Sequence, residues 1–152
     1  MNALGEILGS ADVALDVEVA DGSQLLEFAA ARIAHNHGIA ASIVVRDLAA
    51  REHLGCTALG HGVALPHARV TGLVRPVAVF IRTRQPIPFL ALDHKPVSLF
   101  LVLLVPVEAA ERHLKLIAEA AGLFNDRAFR AALREATDPD RVAELFAQWK
   151  AG

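Results

Sequence analysis

The residues best suited to chemistry lie in one run, Thr57-Ala58-Leu59-Gly60-His61-Gly62-Val63-Ala64-Leu65-Pro66-His67-Ala68-Arg69. It puts His67 directly after a proline, at the predicted end of a short apolar strand, with Gly60 and Gly62 upstream. Pro66 has a fixed φ and no N–H, and it pushes Leu65 toward an extended conformation. The glycines permit a sharp turn. They read first as turn formers; their backbone N–H groups, able to meet an anion, follow from that geometry. An imidazole held in this way suits the uptake and release of a phosphoryl group. A neutral ring nitrogen attacks phosphorus with its own lone pair, so the chemistry reduces to positioning and to donors for the equatorial oxygens. One ring nitrogen must then be held as N–H by an acceptor, leaving the other free.

Read with its upstream flank, Arg51-Glu52-His53-Leu54-Gly55-Cys56-Thr57, the segment resembles the phosphorylation-site motif of the fructose/mannitol-type IIA domains of the bacterial phosphoenolpyruvate-dependent phosphotransferase system. That group includes the stand-alone nitrogen-regulatory IIA proteins. The family pattern is roughly R-E-x-x-G-S-T-G-x-G-x-G-[IV]-A-[IL]-P-H. This chain departs from it at Cys56, where serine is usual, and at Ala58, where glycine is usual. The resemblance continues through Pro86-Ile87-Pro88-Phe89, Asp93-His94-Lys95-Pro96-Val97 and Leu103-Leu104-Val105-Pro106, then His113-Leu114, to about Phe124.

The resemblance implies that His67 is phosphorylated on Nε2 and that His113 stands close to it, orienting the ring or donating to the phosphoryl group. Arg51 falls at the family's arginine position, where a guanidinium can meet phosphoryl oxygens as a rigid fork. Thr57 is a candidate hydroxyl donor to the phosphate, with Gly60 and Gly62 as backbone donors. The implied phosphoryl donor is a carrier of the HPr or NPr type, and the implied recipient is a regulated protein or a IIB domain. Val63, Leu65, Ala68, Val70 and Leu73 are the candidate apolar docking patch. A domain of the same fold that binds partners without transferring phosphate is the competing expectation, and a metal-dependent hydrolase is a third.

Composition narrows the rest. The chain has 152 residues and a formal net charge of −2, which fits one domain with one core and offers no basic stripe for nucleic acid. A lone cysteine, Cys56, excludes an intrachain disulfide and suggests a reducing compartment, the cytoplasm. Its expected role is that of a small buried residue standing in for serine. The longest apolar run, Val97 to Val107, is too short to span a bilayer as a helix and reads as a buried strand. The N-terminus lacks the pattern of a signal peptide. No P-loop, G-x-G-x-x-G after a strand or G-x-S-x-G is present. The histidines show no metal-ligand spacing. Neither cofactor nor metal is expected.

Periodicity supplies the elements that must position these groups. Val13 to Val19, Val63 to Leu65, Val77 to Thr83 and Val97 to Val105 read as strands. Asp21-Gly22-Ser23 reads as a turn and N-cap to a helix in which Leu25, Leu26, Ala29, Ile33 and Ala34 recur with helical spacing, stopping near Gly38. Ser42 to His53 reads as a helix with Ile43, Val44, Leu48 and Ala49 inward. Gln85 to Asp93 reads as a proline-punctuated connection. A helix opening at Glu108 carries Ala110, Leu114, Ile117, Ala121 and Phe124 inward, with His113 at the margin. Asn125 to Arg134 and Asp138 to Trp149 complete the chain, the last opening on an Asp-Pro N-cap. The expected fold class is α/β, a central mixed sheet flanked by helices.

Overall fold

The computed structural model describes residues 2–89, 95–108 and 110–150. After a short helix α1 (Ala3–Ile7) and a 3-10 turn (Ser10–Asp12), strand β1 (Val13–Val17) enters the sheet. Helices α2 (Gly22–His37) and α3 (Ala41–Leu54) follow, then β2 (Ala58–Gly60), β3 (Val63–Ala64), β4 (His67–Val70), β5 (Val77–Ile87) and β6 (Val97–Pro106). Helices α4 (Ala110–Asn125), α5 (Arg127–Glu135) and α6 (Pro139–Gln148) close the chain.

The sheet is mixed, in the order β1-β5-β6-β3-β2, with β4 also on β6. Strand β6 is central and almost wholly apolar because both of its faces are covered. One face packs on α2 and α3 through Phe100, Val102 and Leu104. The other packs on α1, α4, α5 and α6 through Leu99, Leu101, Leu103 and Val105.

Several expectations hold. Asp21 caps α2 by accepting from the Gln24 N–H, and Gly38 ends it in the left-handed region. Asp138 caps α6 with Pro139 in the first turn. Others shift. Strand β1 stops at Val17 rather than Val19, and β5 runs on through Pro86 to Ile87, with its register against β6 broken between Arg82 and Ile87. The remainder of the expected Gln85–Asp93 connection, together with Asp93-His94 of the family pattern, reaches outside the described residues.

In α3 the inward residues are Val44 and Leu48, while Ile43 and Ala49 are exposed. In α4 the inward stripe is His113, Leu116, Ala120, Leu123 and Phe124. Leu114 is 62% exposed, Ile117 and Ala121 are half-buried, and the expected place of Ala110 falls on a side chain outside those described. Glu108 precedes the helix rather than opening it, and Glu111 is the acidic residue in its first turn. The stripe is thus rotated by about one residue, and His113 moves from its margin into its line.

Arginines tie the C-terminal helices to the sheet. Arg82 donates to the carbonyls of Leu133 and Ala136, satisfying the end of α5. Arg134 of α5 donates to the His61 carbonyl at 2.6 Å and so holds the β2–β3 turn.

Candidate functional site

Strands β3 and β4 are one extended run against β6. Val63 pairs with Leu99, Ala64 with Phe100 and His67 with Leu103, all in the same register. The ladder is interrupted at Pro66, which has no N–H to give, although its carbonyl still accepts from Leu103 N–H at 2.9 Å. What reads in sequence as the end of a strand is therefore an interruption within one, and His67 is the first residue of β4.

Period-2 alternation then sets the faces. Ala68 and Val70 turn to the α2/α3 core. His67 and Arg69 take the opposite face, with their register partners Leu103 and Val105. His67 is half-buried and Arg69 exposed.

The His67 ring is fixed by its own backbone, its Nδ1 lying 2.8 Å from the Leu65 carbonyl oxygen. A carbonyl only accepts, so Nδ1 carries the hydrogen, and in the neutral ring Nε2 holds the lone pair. Burial is the main influence on its pKa and lowers it. The bond to Leu65 opposes this, the Arg51 charge lowers the pKa further and Glu52 raises it. The net direction is downward, which keeps the imidazole neutral and nucleophilic at neutral pH.

The end of helix α3 brings the charges of Arg51 and Glu52 within electrostatic reach of this ring. Arg51 is half-buried and its Nη1 donates to the Gly55 carbonyl at 2.9 Å, closing the helix end. Thr57 is buried, and its hydroxyl is bonded to the Glu52 carboxylate rather than pointing free toward a phosphate. Cys56 is half-buried, and its Sγ accepts from the Ala58 N–H at 3.3 Å. The sulfur fills the place of a serine hydroxyl in such a turn.

Gly60 and Gly62 stand elsewhere. Gly60, His61 and Gly62 have φ of 85°, 56° and 76°, and His61-Gly62 forms the tight turn between β2 and β3, whose twist demands positive φ. The Gly62 carbonyl accepts from Ser98 and Leu99, whereas His67 pairs with Leu103. Gly62 and His67 are five residues apart along the strand, about 16 Å. The turn thus lies well along the strand from His67, and its positive φ values account for both glycines.

His113 is 3% exposed, and its Nδ1 is a buried ring nitrogen with no hydrogen-bond partner. Burial lowers its pKa, and the charges of Arg69 and then Arg112 lower it further. Arg69 lies on the same face of β4 as His67 and within electrostatic reach of His113. His113 also borders a groove of about 850 Å³ between α1, the β4–β5 loop and α4.

The expected docking patch is not a surface. Val63, Leu65, Ala68 and Val70 are all core, and Leu73 is half-buried. Strand alternation gives each a covered face, on one side of the sheet or the other. Among the described residues the exposed large apolar side chains are Ile43, Leu54, Leu59, Val74, Val107 and Leu114. Glu52 and Arg69 had no role assigned from sequence. The signal for Glu52 was its place in the Arg-Glu pair, in the last turn of a helix, where a negative charge is unfavourable unless something binds it.

Among the described residues, no group of three or more His, Cys, Asp or Glu side chains is placed to hold a metal ion. No helix among them is long and apolar enough to cross a membrane.

Comparison with known proteins identifies the family and the fold. The family described as "Phosphoenolpyruvate-dependent sugar phosphotransferase system, EIIA 2" matches residues 6–149, well past Phe124. A nitrogen regulatory protein of Pseudomonas aeruginosa is 37% identical over 105 residues, 69% of this chain and 68% of that protein. One from Bradyrhizobium diazoefficiens is 35% identical over 131 residues, 86% of each chain. The crystal structure of the nitrogen regulatory protein IIA-Ntr from Neisseria meningitidis superposes with a TM-score of 0.90 at 38% identity, covering 95% of this chain and 99% of that one. The IIA mannitol structure from Escherichia coli, with a TM-score of 0.77 at 21% identity over 92% of this chain and 99% of its own, shares the fold. The match over residues 6–149, with these relatives, shows that the chain belongs to the EIIA type-2 family of the phosphoenolpyruvate-dependent phosphotransferase system and is similar to its nitrogen-regulatory members.

Proposed function

We propose that His67 accepts a phosphoryl group on Nε2 from a histidine-phosphorylated carrier of the HPr or NPr type, and that the chain serves as a nitrogen-regulatory IIA protein. The observation that carries this reading is the Nδ1 contact to Leu65, which leaves the Nε2 lone pair as the nucleophile. As Nε2 attacks, the N–P bond of the carrier breaks and its electron pair returns to the carrier's imidazole. The His67 ring becomes cationic as the new N–P bond forms. Its Nδ1–H is already bonded to a carbonyl that stabilises that charge, so no proton need move during transfer. The reverse step runs through the same geometry.

His113 and Arg51 are assigned to the transferring group. An imidazole kept neutral by burial beside Arg69 and Arg112 can present a ring N–H to a phosphoryl oxygen without a competing partner. Arg51 offers the guanidinium nitrogens not used on Gly55. Exposed Leu54 and Leu114 are assigned to the rim that a carrier covers. The half-buried thiol of Cys56 supports a reducing, cytoplasmic setting.

The reading is tested by incubating the protein with phosphoenolpyruvate, enzyme I and a phosphocarrier, then mapping the label under alkaline conditions. Phosphate on the peptide holding His67 is expected. A chase with fructose- or mannitol-type IIB domains separates the two family roles: retention of label supports the regulatory one, and rapid loss supports a sugar relay.

A further inference from the structure

The His67 ring is held from a distance by an unbroken series of hydrogen bonds. The Glu52 carboxylate accepts from the Thr57 N–H at 3.3 Å and from the Thr57 hydroxyl. The Thr57 carbonyl accepts from the Leu65 N–H at 3.0 Å. The Leu65 carbonyl accepts from His67 Nδ1–H at 2.8 Å. Thr57 and Leu65 are 6% and 2% exposed, so water does not compete along the middle of the series. Arg51 holds the Gly55 carbonyl on the other side of the same corner. The consecutive Arg51 and Glu52 thus grip the chain at Gly55 and Thr57.

The position of Glu52 is informative because it opposes local preference. It lies in the last turn of α3, where the helix dipole disfavours a negative charge. It is half-buried there, and both of its oxygens are engaged by Thr57. A carboxylate in this place serves the strand rather than the helix.

We propose that Glu52 is a positioning residue that fixes His67 as its Nδ1–H tautomer, by anchoring Thr57 and through it the Leu65 carbonyl. Thr57 is then a link in this series, and its hydroxyl hydrogen is committed to Glu52 rather than to the phosphoryl group. The consequence for transfer rate rests on the reading of His67 as the phosphoacceptor; the consequence for the tautomer does not.

The test is ¹⁵N NMR of the histidine ring nitrogens in the full chain, as wild type, Glu52→Ala, Glu52→Gln and Thr57→Val. Wild type is expected to show His67 with a protonated Nδ1 and a bare Nε2. Glu52→Ala is expected to give a mixture of tautomers and transfer slowed by up to about 100-fold, the scale of a small misplacement of a reacting group. Glu52→Gln keeps an oxygen acceptor for Thr57 and is expected to restore most of both properties. Thr57→Val is expected to act in the same direction as Glu52→Ala, and the double variant to fall short of the sum. A single Nδ1–H tautomer retained in folded Glu52→Ala overturns the proposal. Should that variant fail to fold, Thr57→Val decides, and an unchanged tautomer and rate there overturn it equally. A wild-type protein that takes up no phosphate overturns the assignment of His67 as acceptor, while the tautomer readout still decides the role of Glu52.

Discussion

The Leu65 carbonyl and the His67 Nδ1–H meet at 2.8 Å across Pro66, so the backbone itself selects which ring nitrogen is nucleophilic. Pro66, which has no N–H, interrupts the ladder on β6 between the two residues.

The acid limb of phosphoryl transfer should lie below the usual histidine range. Protonation of Nε2 removes the lone pair, and burial of His67 lowers the pKa at which this happens. The rate of phosphorylation against pH, measured with a fixed supply of phosphorylated carrier, is expected to be flat through neutrality and to fall only below about 6.5, the value of a free imidazole. A fall beginning above that value contradicts the effect of burial.

Stability should respond to the same histidines. His67 and His113 both have folded-state pKa values lowered by burial. As pH falls, the unfolded chain takes up their protons first, so their contribution is full above about 6.5 and is lost as pH drops through the folded values. Denaturant unfolding at roughly pH 7.5 and 5.5 is expected to show the loss, and His113→Gln to reduce it. An unchanged slope in His113→Gln means that His113 does not titrate as a buried neutral group.

His113→Ala should slow transfer by about 10- to 1000-fold, the range for removing one preorganised donor. Stopped-flow transfer from the phosphorylated carrier measures it. Wild-type kinetics reduce His113 to packing on the α4 stripe.

Gly62→Ala separates turn geometry from phosphate binding. Its φ of 76° is left-handed, and an added Cβ meets Arg134 Nη2 at 2.9 Å. The strain alone costs about 1–2 kcal/mol, readable as a lowered denaturation midpoint. The rate of phosphorylation should stay at the wild-type level because the turn lies far along the strand from His67. A large rate loss without a stability loss would return Gly62 to the phosphate site.

What the sequence made legible was local. The cap at Asp21 and the Asp138-Pro139 helix start follow from single-residue backbone constraints, and each is found in the structure. Phase and exposure were less legible. Helix α4 carries Leu114 beside Leu116 and Ile117, so two apolar stripes compete, and the covering sheet selects the one containing His113 and Leu116. Val63, Leu65, Ala68 and Val70 look the same in sequence whether they meet a partner or their own core, and only the sheet with helices on both faces decides it. The link from Glu52 to His67 depends on pairing between segments that sequence periodicity cannot align.

The decisive measurement is intact-mass spectrometry of wild type and His67→Ala after incubation with phosphoenolpyruvate, enzyme I and a phosphocarrier. Wild type is expected to gain one acid-labile phosphoryl group. His67→Ala should gain none while keeping its circular dichroism spectrum, because the replaced side chain is only half-buried and its Nδ1 bond is local. Equal labelling of the two proteins, or no labelling of wild type beside a fully phosphorylated carrier, would contradict His67 as the phosphoryl acceptor.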